Sequence, residues 1–362
     1  MEIVILILFG ATACVHVLDF FRKAWIIKNF RLTANTASPR ISVLVCAHNE
    51  ASHLRELLPL LTQQEYSSLE VIIVLDRCDD ESEAVVKPYL SDHIRLLRID
   101  QVSPPIHPKK YAITQAIAQA SGEWMLLTDA DCRPRKDWIK EMVRGMAADK
   151  DLVLGISPHS TSAGFLNTLI QYETFITALQ FVSKTLSGKA YMGLGRNIGY
   201  RKTAFVRVDG FGETAHLTGG DDDLLVQRMA TSTNVGVVLS AASHVSTLPQ
   251  TTWQSFFHQK TRHFGVGRHY TVETKRNEIV RWTLHLLFWG FFFVHLATDW
   301  LWALLILMLA FTIKAISINI VADRLAKRFN HLWLPIVDLA YVVIFPLLSL
   351  RSVFVKRITW KK

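Results

Sequence analysis

ISVLVCAHNE, residues 41–50, is the stretch that decides the fold of this chain. A short β-branched run passes there directly into polar residues, as a buried strand does at its carboxyl end. Similar apolar runs follow and alternate with segments of helical spacing at His53–Leu61 and Tyr111–Ala120. The four predicted strands are Ile41–Cys46, Val71–Leu75, Ile94–Ile99 and Trp124–Leu127. This alternation predicts an α/β domain with a largely parallel sheet, whose ligand site lies at the carboxyl ends of the strands.

Polar side chains follow three of these predicted strands. Ala47, Asn49 and Glu50 come after the first, Asp76 opens an acidic segment after the second, and an acidic pair follows the fourth. Any one of these segments alone is explained by a solvated turn. Three in order predict that carboxylates and amides converge on one ligand, as a nucleotide site requires.

The acidic pair after the fourth strand is Asp129 and Asp131. In an extended segment, residues two apart point to the same side, so both carboxylates would face one ligand. Carboxylate oxygens in that arrangement suit a hard divalent cation, Mg²⁺ or Mn²⁺. Such a cation would neutralise the charge of a departing diphosphate.

Lys109 and Lys110 precede the predicted helix Tyr111–Ala120. A cation and a helix N-terminus both favour phosphate binding. An ordinary solvated lysine pair is the alternative for this feature taken alone.

Two later motifs add polar groups. Gly193–Lys202 contains three glycines, which let backbone approach a ligand closely, and it carries Arg196 and Asn197. Three adjacent carboxylates, beginning with Asp221 and Asp222, open a helical run. Helix capping needs only one of them, and mutual repulsion raises the proton affinity of another, as suits a general base for a sugar hydroxyl.

Hydrophobic stretches flank the predicted domain. Ile3–Phe21 is close to membrane-spanning length, and its following positive charges favour an uncleaved anchor over a signal peptide. Near the other end lie Trp282–Leu296, Trp300–Ile320 and Leu332–Leu350. If all three of these span, the basic tail Lys356–Lys362 falls outside, against the positive-inside tendency. A re-entrant third segment is the alternative, so two and three C-terminal spans both stay open.

The net charge of +9 on 362 residues comes largely from clusters beside these hydrophobic stretches. The clusters are Arg22, Lys23, Lys28 and Arg31, and later Arg324, Lys327 and Arg328. That placement fits anionic lipid headgroups, and no nucleic-acid-binding signature accompanies it. We expect a multi-pass protein of a bilayer such as the bacterial inner membrane, with its catalytic domain in the cytosol and no nucleic-acid partner. Four well-separated cysteines without a CxxC pair fit a reducing compartment.

These features predict four parts of the chain. They are a membrane anchor over residues 1–22, a catalytic domain over 39–250, interfacial helices over 251–280 and a membrane bundle over 281–352. The interfacial assignment depends on Trp253, Phe256 and Phe257, which mix with cationic residues at helical spacing. A surface helix without catalytic part is the alternative for that segment.

The order of the motifs resembles that of the inverting family 2 glycosyltransferases, in particular their membrane-integrated members. These enzymes have a GT-A fold, which is a Rossmann-like domain with a mixed sheet. Ala47-His48-Asn49-Glu50 resembles the family's nucleotide-binding segment, and Asp76 stands where an acidic residue contacts the base or ribose. Lys109 is similar to the lysine of a Gly-Lys-x-x-Ala-Leu segment, although Pro108 replaces the glycine. Asp129-Ala130-Asp131 resembles the metal-binding Asp-x-Asp.

Three later segments extend the resemblance. Gly195-Arg196-Asn197 is similar to the segment that lines the donor-sugar and acceptor site. Gly220–Leu224 resembles the element with the catalytic base, which is Asp221 in one alignment and Asp222 in another. Gln259 and Arg262 match the Gln-x-x-Arg-Trp motif of processive synthases, but His263 replaces the tryptophan that helps hold the acceptor.

The resemblance implies transfer of a hexosyl or N-acetylhexosaminyl group, with inversion, from a UDP- or GDP-linked sugar to a lipid-linked or other membrane acceptor, as in the synthesis of envelope polysaccharides or glycolipids. A processive synthase that extrudes its polymer is the alternative, and a membrane scaffold that binds the nucleotide sugar without turnover is a non-enzymatic one. A sugar nucleotidyltransferase would need an early Gly-rich phosphate loop, which residues 41–50 lack.

Overall fold

The computed structural model describes residues 2–327 and 329–354 of the chain, which folds into two compact units. The sheet unit comprises residues 31–161 and 184–249. The helical unit comprises the described residues within 1–30, 162–183 and 250–357. The predicted linear division into parts therefore differs from the compact units, because residues 162–183 group with the terminal helices rather than with the sheet. Arg328 and the basic tail Lys356–Lys362 lie outside the described residues.

The sheet unit contains a seven-stranded mixed sheet in the order β3-β2-β1-β4-β7-β6-β8. The strands β1 to β4 are parallel to one another. The bounds are β1 Ile41–Ala47, β2 Leu69–Asp76, β3 Ile94–Ile99, β4 Trp124–Asp129, β6 Leu152–Leu154, β7 Ile198–Arg201 and β8 Val235–Val237. A second, two-stranded sheet pairs β5, Cys132–Pro134, with β9, Val245–Thr247.

The four predicted strands are all present. The apolar runs of β1, β2 and β4 are buried on both faces, whereas β3, at the edge of the sheet, is buried only at Ile94 and Ile99. Every residue of Ile41–Ala47 is buried, which explains why this strand shows no alternation of polar and apolar residues. The sheet is largely parallel as predicted, and the exception is β7, which pairs antiparallel with both β4 and β6. The predicted fold class, a mixed α/β sheet domain flanked by terminal apolar helices, is confirmed.

Helices connect the strands of the sheet unit and cover the sheet. Leu54, Leu57, Leu58 and Leu61 form the buried face of the second helix, as the spacing of this segment predicts. The helices are α2 Ala51–Thr62, α3 Ser82–Val86, α4 Pro108–Gln119, α5 Trp138–Val143, α7 Lys202–Arg207 and α8 Asp223–Met229.

A buried carboxylate ties the amino ends of three central strands to the turn before β4. Glu70 of β2 accepts hydrogen bonds from Ser42 Oγ, from the Ser121 amide at 2.6 Å and from Arg95 at 2.6 Å. Gly122 approaches so closely that a Cβ there would lie 2.4 Å from Ser42 Oγ. Burial disfavours the charge of Glu70, but its hydrogen bonds and Arg95 lower the pKa to about 2.

The helical unit is built from long apolar helices. Its elements are α1 Glu2–Asn29, most of α6 Phe165–Leu186, α9 Trp253–Val266, α10 Val272–Thr298, α11 Trp300–Val321 and α12 Leu334–Phe354. Among the residues that the structure describes, four helical segments are long and apolar enough to cross a membrane: Ile3–Asn29, Val272–Thr298, Trp300–Val321 and His331–Ser352. The last is a candidate span of 22 residues despite Pro335 and Pro346, as the three-span prediction for the C-terminal part requires.

Basic residues from both ends of the chain meet at one end of this helix bundle. Arg324, just after α11, donates to the carbonyl of Ile27 at 2.8 Å and to that of Phe30 at 2.9 Å, at the carboxyl end of α1. A cation there satisfies carbonyls that the helix itself leaves free. Arg324 of the second positive cluster therefore lies at the end of α1 that carries Lys28 of the first.

A single carboxylate joins four helices in the interior of the helical unit. Asp338 of α12 is fully buried and accepts hydrogen bonds from Tyr172 of α6 and Lys314 of α11. From α10, Trp289 Nε1 donates to it at 2.9 Å, and His285 Nε2 lies 2.8 Å from the same oxygen. Polar groups inside an apolar bundle are stable when they satisfy one another in this way.

His16 of α1 stacks beside this cluster, with its ring centroid 4.5 Å from that of His285. The ligand atoms of His16, His285 and Asp338 lie within 4.8 Å of one another, a spacing that also suits a metal ion. Lys314 already neutralises Asp338, so a divalent cation would leave a large net charge in apolar surroundings. We therefore interpret the cluster as a contact between helices that is held by hydrogen bonds to Asp338.

Candidate active site

The loops after β1 and β2 lie side by side and hold one another. His48 Nδ1 lies 2.6 Å from the Asp76 carbonyl, and Asn49 donates to Asp79 at 2.6 Å. Asn49 adopts a left-handed backbone with φ of 54°. The Glu50 amide donates to Ser82 Oγ at 3.1 Å. The structure thus brings the predicted segment Ala47–Glu50 together with the acidic segment that follows β2.

Asp76 lies at the end of β2 and is completely buried. Both of its carboxylate oxygens accept from the neighbouring Arg77, at 2.8 and 2.9 Å. A bidentate pair of this kind fixes the plane of the carboxylate.

Asp129 ends β4, whereas Asp131 lies in the tight turn before β5. The prediction that Asp129 and Asp131 lie in one extended segment is therefore wrong, although the two carboxylates interact. Asp131 accepts from Thr247 Oγ1 of β9 at 3.2 Å. Burial and the nearby Asp129 raise the pKa of Asp131 above its usual value, while the charge of Arg196 opposes this. The positive charge near these two partly buried carboxylates does not fully offset their negative charge. Their oxygens are therefore suitable ligands for a hard cation.

Lys109 lies in the first turn of α4, because the helix begins at Pro108 and not after the lysine pair as predicted. Proline is favoured at a first helical position, and this extends the helix backwards by one turn. Lys109 Nζ lies 2.9 Å from Asp221 Oδ2 and 3.2 Å from Asp129 Oδ1. Burial opposes its charge, but these two carboxylates raise the pKa of Lys109 well above its usual value.

Asp221 and Asp222 differ in their surroundings. Asp222 caps α8 by accepting from the Asp223 amide at 2.8 Å, and its other oxygen accepts from the Gly195 amide at 2.9 Å. Burial and the neighbouring Asp221 raise the pKa of Asp222. Burial also opposes the charge of Asp221, but Lys109 lowers its pKa below the usual value. The two carboxylates are thus one buried, coupled pair with different partners.

The glycine-rich segment passes close to these carboxylates. A Cβ at Gly195 would lie 3.3 Å from Asp222 Oδ2 and 3.4 Å from Asp221 Oδ2, so the glycine permits this approach. The next residue, Arg196, donates through Nε to Ser157 Oγ at 2.6 Å. Its charge acts on Asp131, which places a cation beside the acidic turn.

The predicted substrate-binding role of Asn197 needs correction. Its side chain is fully buried, with Nδ2 donating to the carbonyls of Ile156 and Ser243 at 2.8 and 2.9 Å. Its Oδ1 accepts from Trp138 Nε1 at 2.9 Å. Because both amide hydrogens are used, the side chain links elements of the fold and does not face a ligand.

Gln259 and Arg262 lie on α9 and belong to the helical unit. Thr252 caps this helix by accepting from the Ser255 amide at 3.2 Å. The participation of Gln259 and Arg262 in substrate binding stays a prediction.

Sequence reasoning missed two residues around the site. Thr247 contacts Asp131 across a sequence separation of 116 residues, which no local pattern reveals. Lys110 was paired with Lys109 as a phosphate-binding or solvated cation, yet it is completely buried and donates to the Thr214 carbonyl at 2.6 Å. Neighbouring residues of a helix point about 100° apart, so the two lysines serve different contacts.

Comparisons with known proteins agree with this geometry. Residues 42–208 match the model of glycosyl transferase family 2. Over 116 residues the chain is 28% identical to the probable glycosyltransferase YdaM of Bacillus subtilis, which covers 31% of this chain and 27% of that protein. Over 216 residues it is 24% identical to the glycosyltransferase AglE of Haloferax volcanii, covering 57% of this chain and 66% of that protein. Both matches span less than two thirds of the relative's own length.

Among solved structures, the chain resembles the mannosyltransferase PcManGT from Pyrobaculum calidifontis, determined in complex with GDP-Man and Mn²⁺. The TM-score is 0.58 at 18% sequence identity, with complete coverage of both chains. The mixed sheet and the polar residues at its strand ends define a domain of the GT-A fold. The match of residues 42–208 and the curated glycosyltransferases support assignment of this domain to glycosyltransferase family 2.

Proposed function

We propose that this chain transfers a sugar from a nucleotide-diphosphate sugar to a membrane-associated, lipid-linked acceptor, with inversion at the sugar carbon. One observation carries the proposal: Lys109 contacts both Asp129, of the acidic turn, and Asp221, of the acidic pair before α8. A donor-side carboxylate and a candidate base therefore share one buried cation. The glycosyltransferases among its relatives and the GDP-Man complex of the similar mannosyltransferase support the donor class.

Asp129 and Asp131 are the residues proposed to hold a divalent cation. The donor set consists of carboxylate oxygens, which Mg²⁺ and Mn²⁺ prefer, and Mn²⁺ accompanies the donor in the similar mannosyltransferase. When bound, the cation supplies charge neutralisation for the diphosphate. Arg196 and Lys109 add positive charge at the same place, and Ala47, Asn49, Glu50 and Asp76 are proposed to contact the nucleotide.

Asp221 is the proposed general base. Asp222 has both oxygens engaged by backbone amides, whereas Asp221 pairs with the side-chain ammonium of Lys109. In the proposed step, the acceptor hydroxyl oxygen forms a bond to the sugar C1 while its proton passes to Asp221. The bond from C1 to the diphosphate oxygen breaks, and the electron pair leaves with the nucleoside diphosphate. One displacement inverts the configuration.

The helical unit supports a membrane acceptor. Four candidate spans among the described residues indicate a membrane protein, and the basic residues at one end of the bundle support a cytosolic position for that end by the positive-inside tendency. Nucleotide sugars are made in the cytosol, so we propose that the sheet unit acts there. A bacterial inner membrane fits this topology.

The test uses the full-length protein in nanodiscs, supplied with nucleotide sugars, Mn²⁺ and a lipid extract. We expect release of nucleoside diphosphate and one added sugar per lipid, read by mass spectrometry. A long polymer would instead support a processive synthase, an alternative that the replacement of the motif tryptophan by His263 disfavours. Tight donor binding with no turnover on any acceptor pool would contradict the enzymatic proposal.

A further inference from the structure

Lys110 is a completely buried lysine in the first turn of α4, next to the site lysine. Its ammonium donates to the Thr214 carbonyl at 2.6 Å and lies 5.5 Å from the centre of the Phe211 ring. Buried lysines are rare unless they are paired with an acid, and here the direct partner is a carbonyl oxygen. This arrangement calls for an explanation beyond packing.

Lys110 contacts the loop of residues 209–220, which leads directly to Asp221. Five residues of this loop have left-handed backbone: Asp209, Gly210, Gly212, Gly219 and Gly220. Within this loop the regular structure is one short 3-10 turn, Gly212–Thr214, so contacts to neighbouring elements contribute to its position. A second bond fastens it to α4, because the His107 amide donates to the Ala215 carbonyl at 2.9 Å.

We propose that Lys110 is a positioning residue, which fastens the loop before Asp221 to the helix turn that carries Lys109. The inference rests on the proposed function, in which Asp221 and Lys109 act together. Lys110 itself touches neither substrate nor cation. It keeps the acidic pair in register with Lys109, because both lysines extend from the same rigid turn.

Burial of the charged Lys110 ammonium is energetically costly, which supports a role other than stabilising the fold. Burial lowers its pKa to about 8, although the negative charges of Asp221 and Asp222 act against this. Those two carboxylates, the Thr214 carbonyl and the Phe211 ring are the groups that face the ammonium. Below pH 8 the fold therefore carries a charged group at a cost. A charged donor binds a carbonyl more strongly than a neutral amine does, so the contact is strongest in this range.

The first experiment is independent of activity. Hydrogen–deuterium exchange is measured on the full-length protein in nanodiscs for wild type, Lys110→Met and Lys110→Arg. The matched control is Lys150→Met, because Lys150 also donates to a backbone carbonyl, that of Thr233, at 2.6 Å. We expect faster exchange in peptides covering 211–222 for Lys110→Met only. Unchanged exchange there would overturn the proposal.

The second experiment separates positioning from simple stability. We expect Lys110→Met to lower kcat by about 10- to 100-fold with donor KM changed less than about 3-fold, since small misplacements of catalytic groups have effects of this size. Wild-type kcat should fall as pH rises through about 8, where the ammonium loses its proton. Lys110→Arg keeps the charge and should abolish this fall. Faster exchange with unchanged kcat would reduce Lys110 to a structural residue.

Failure of the proposed function has a different signature. If wild type transfers no sugar to any acceptor, the function is wrong, while the exchange experiment still decides whether Lys110 fastens the loop. If Lys110→Met does not fold, the pH profiles of wild type and Lys110→Arg decide the proposal. Identical alkaline profiles for these two proteins would then overturn it.

Discussion

The ammonium of Lys109 lies 2.9 Å from the Oδ2 atom of Asp221, although the two residues stand more than a hundred positions apart in the chain. The contact joins the first turn of α4 to the residue before the cap of α8. It gives the two neighbouring carboxylates different environments, since Asp222 is engaged by backbone amides instead. The sequence allows either Asp221 or Asp222 as the base. Because their environments differ, substitutions of the two residues can distinguish them.

Asp221→Asn should lower kcat by at least about 10³-fold, because it removes the proposed proton acceptor. Asp222→Asn should cost only about 10-fold, since asparagine also caps helices well. Initial rates of nucleoside diphosphate release, with donor binding followed by thermal shift, distinguish the two. A larger loss for Asp222→Asn would transfer the role of base to Asp222.

Asp131→Asn should weaken the Mn²⁺-dependent stabilisation of the protein by donor. Loss of one carboxylate removes half of the proposed ligand pair, and ligand-induced stabilisation falls with affinity. Thermal unfolding with nucleotide sugar, with and without EDTA, measures the effect. Asp149→Asn is the matched control, because Asp149 forms only an exposed pair with Lys150. Equal stabilisation in the Asp131 variant would refute the assignment of this residue as a ligand.

Glu70 should make the sheet unit sensitive to acid. Its pKa is about 2 in the folded chain and near 4.5 when unfolded, so its contribution is present above about pH 4.5 and is lost as pH falls toward 2. A shift of this size corresponds to about 3 kcal/mol. Glu70→Gln should lower the melting temperature at pH 7, and the difference from wild type should shrink at pH 3. A difference that is independent of pH would exclude the carboxylate charge as its cause.

Asp338→Asn and Lys314→Met should each destabilise the helical unit, because each leaves one partner of a buried pair unmatched. Loss of one partner typically costs about 3 kcal/mol or more, whereas removing both can be nearly neutral. The double variant should therefore unfold at a higher temperature than either single variant. Thermal unfolding in nanodiscs measures all four proteins, and strictly additive losses would show that the two side chains do not interact.

The strands β1 to β4, the apolar helices and the order of the site motifs could all be predicted from the sequence. These features depend on local patterns: β-branched runs such as Ile41–Ala47 are buried strands, and long apolar stretches have spanning length. Errors occurred where the pattern is short or interrupted. The predicted start of α4, at Tyr111, is too late, because the helix begins at Pro108. Proline ends helices elsewhere but is favoured at their first position.

Which polar residues face the site and which stabilise the fold depends on contacts that form only in the folded chain. Asn197 stands beside Arg196, yet its amide is used by Trp138, Ile156 and Ser243, partners that are distant in sequence. Lys110 stands beside Lys109, yet it contacts a loop about a hundred residues away. Side-chain roles of this kind depend on long-range contacts, and residue type and spacing along the chain carry no record of them.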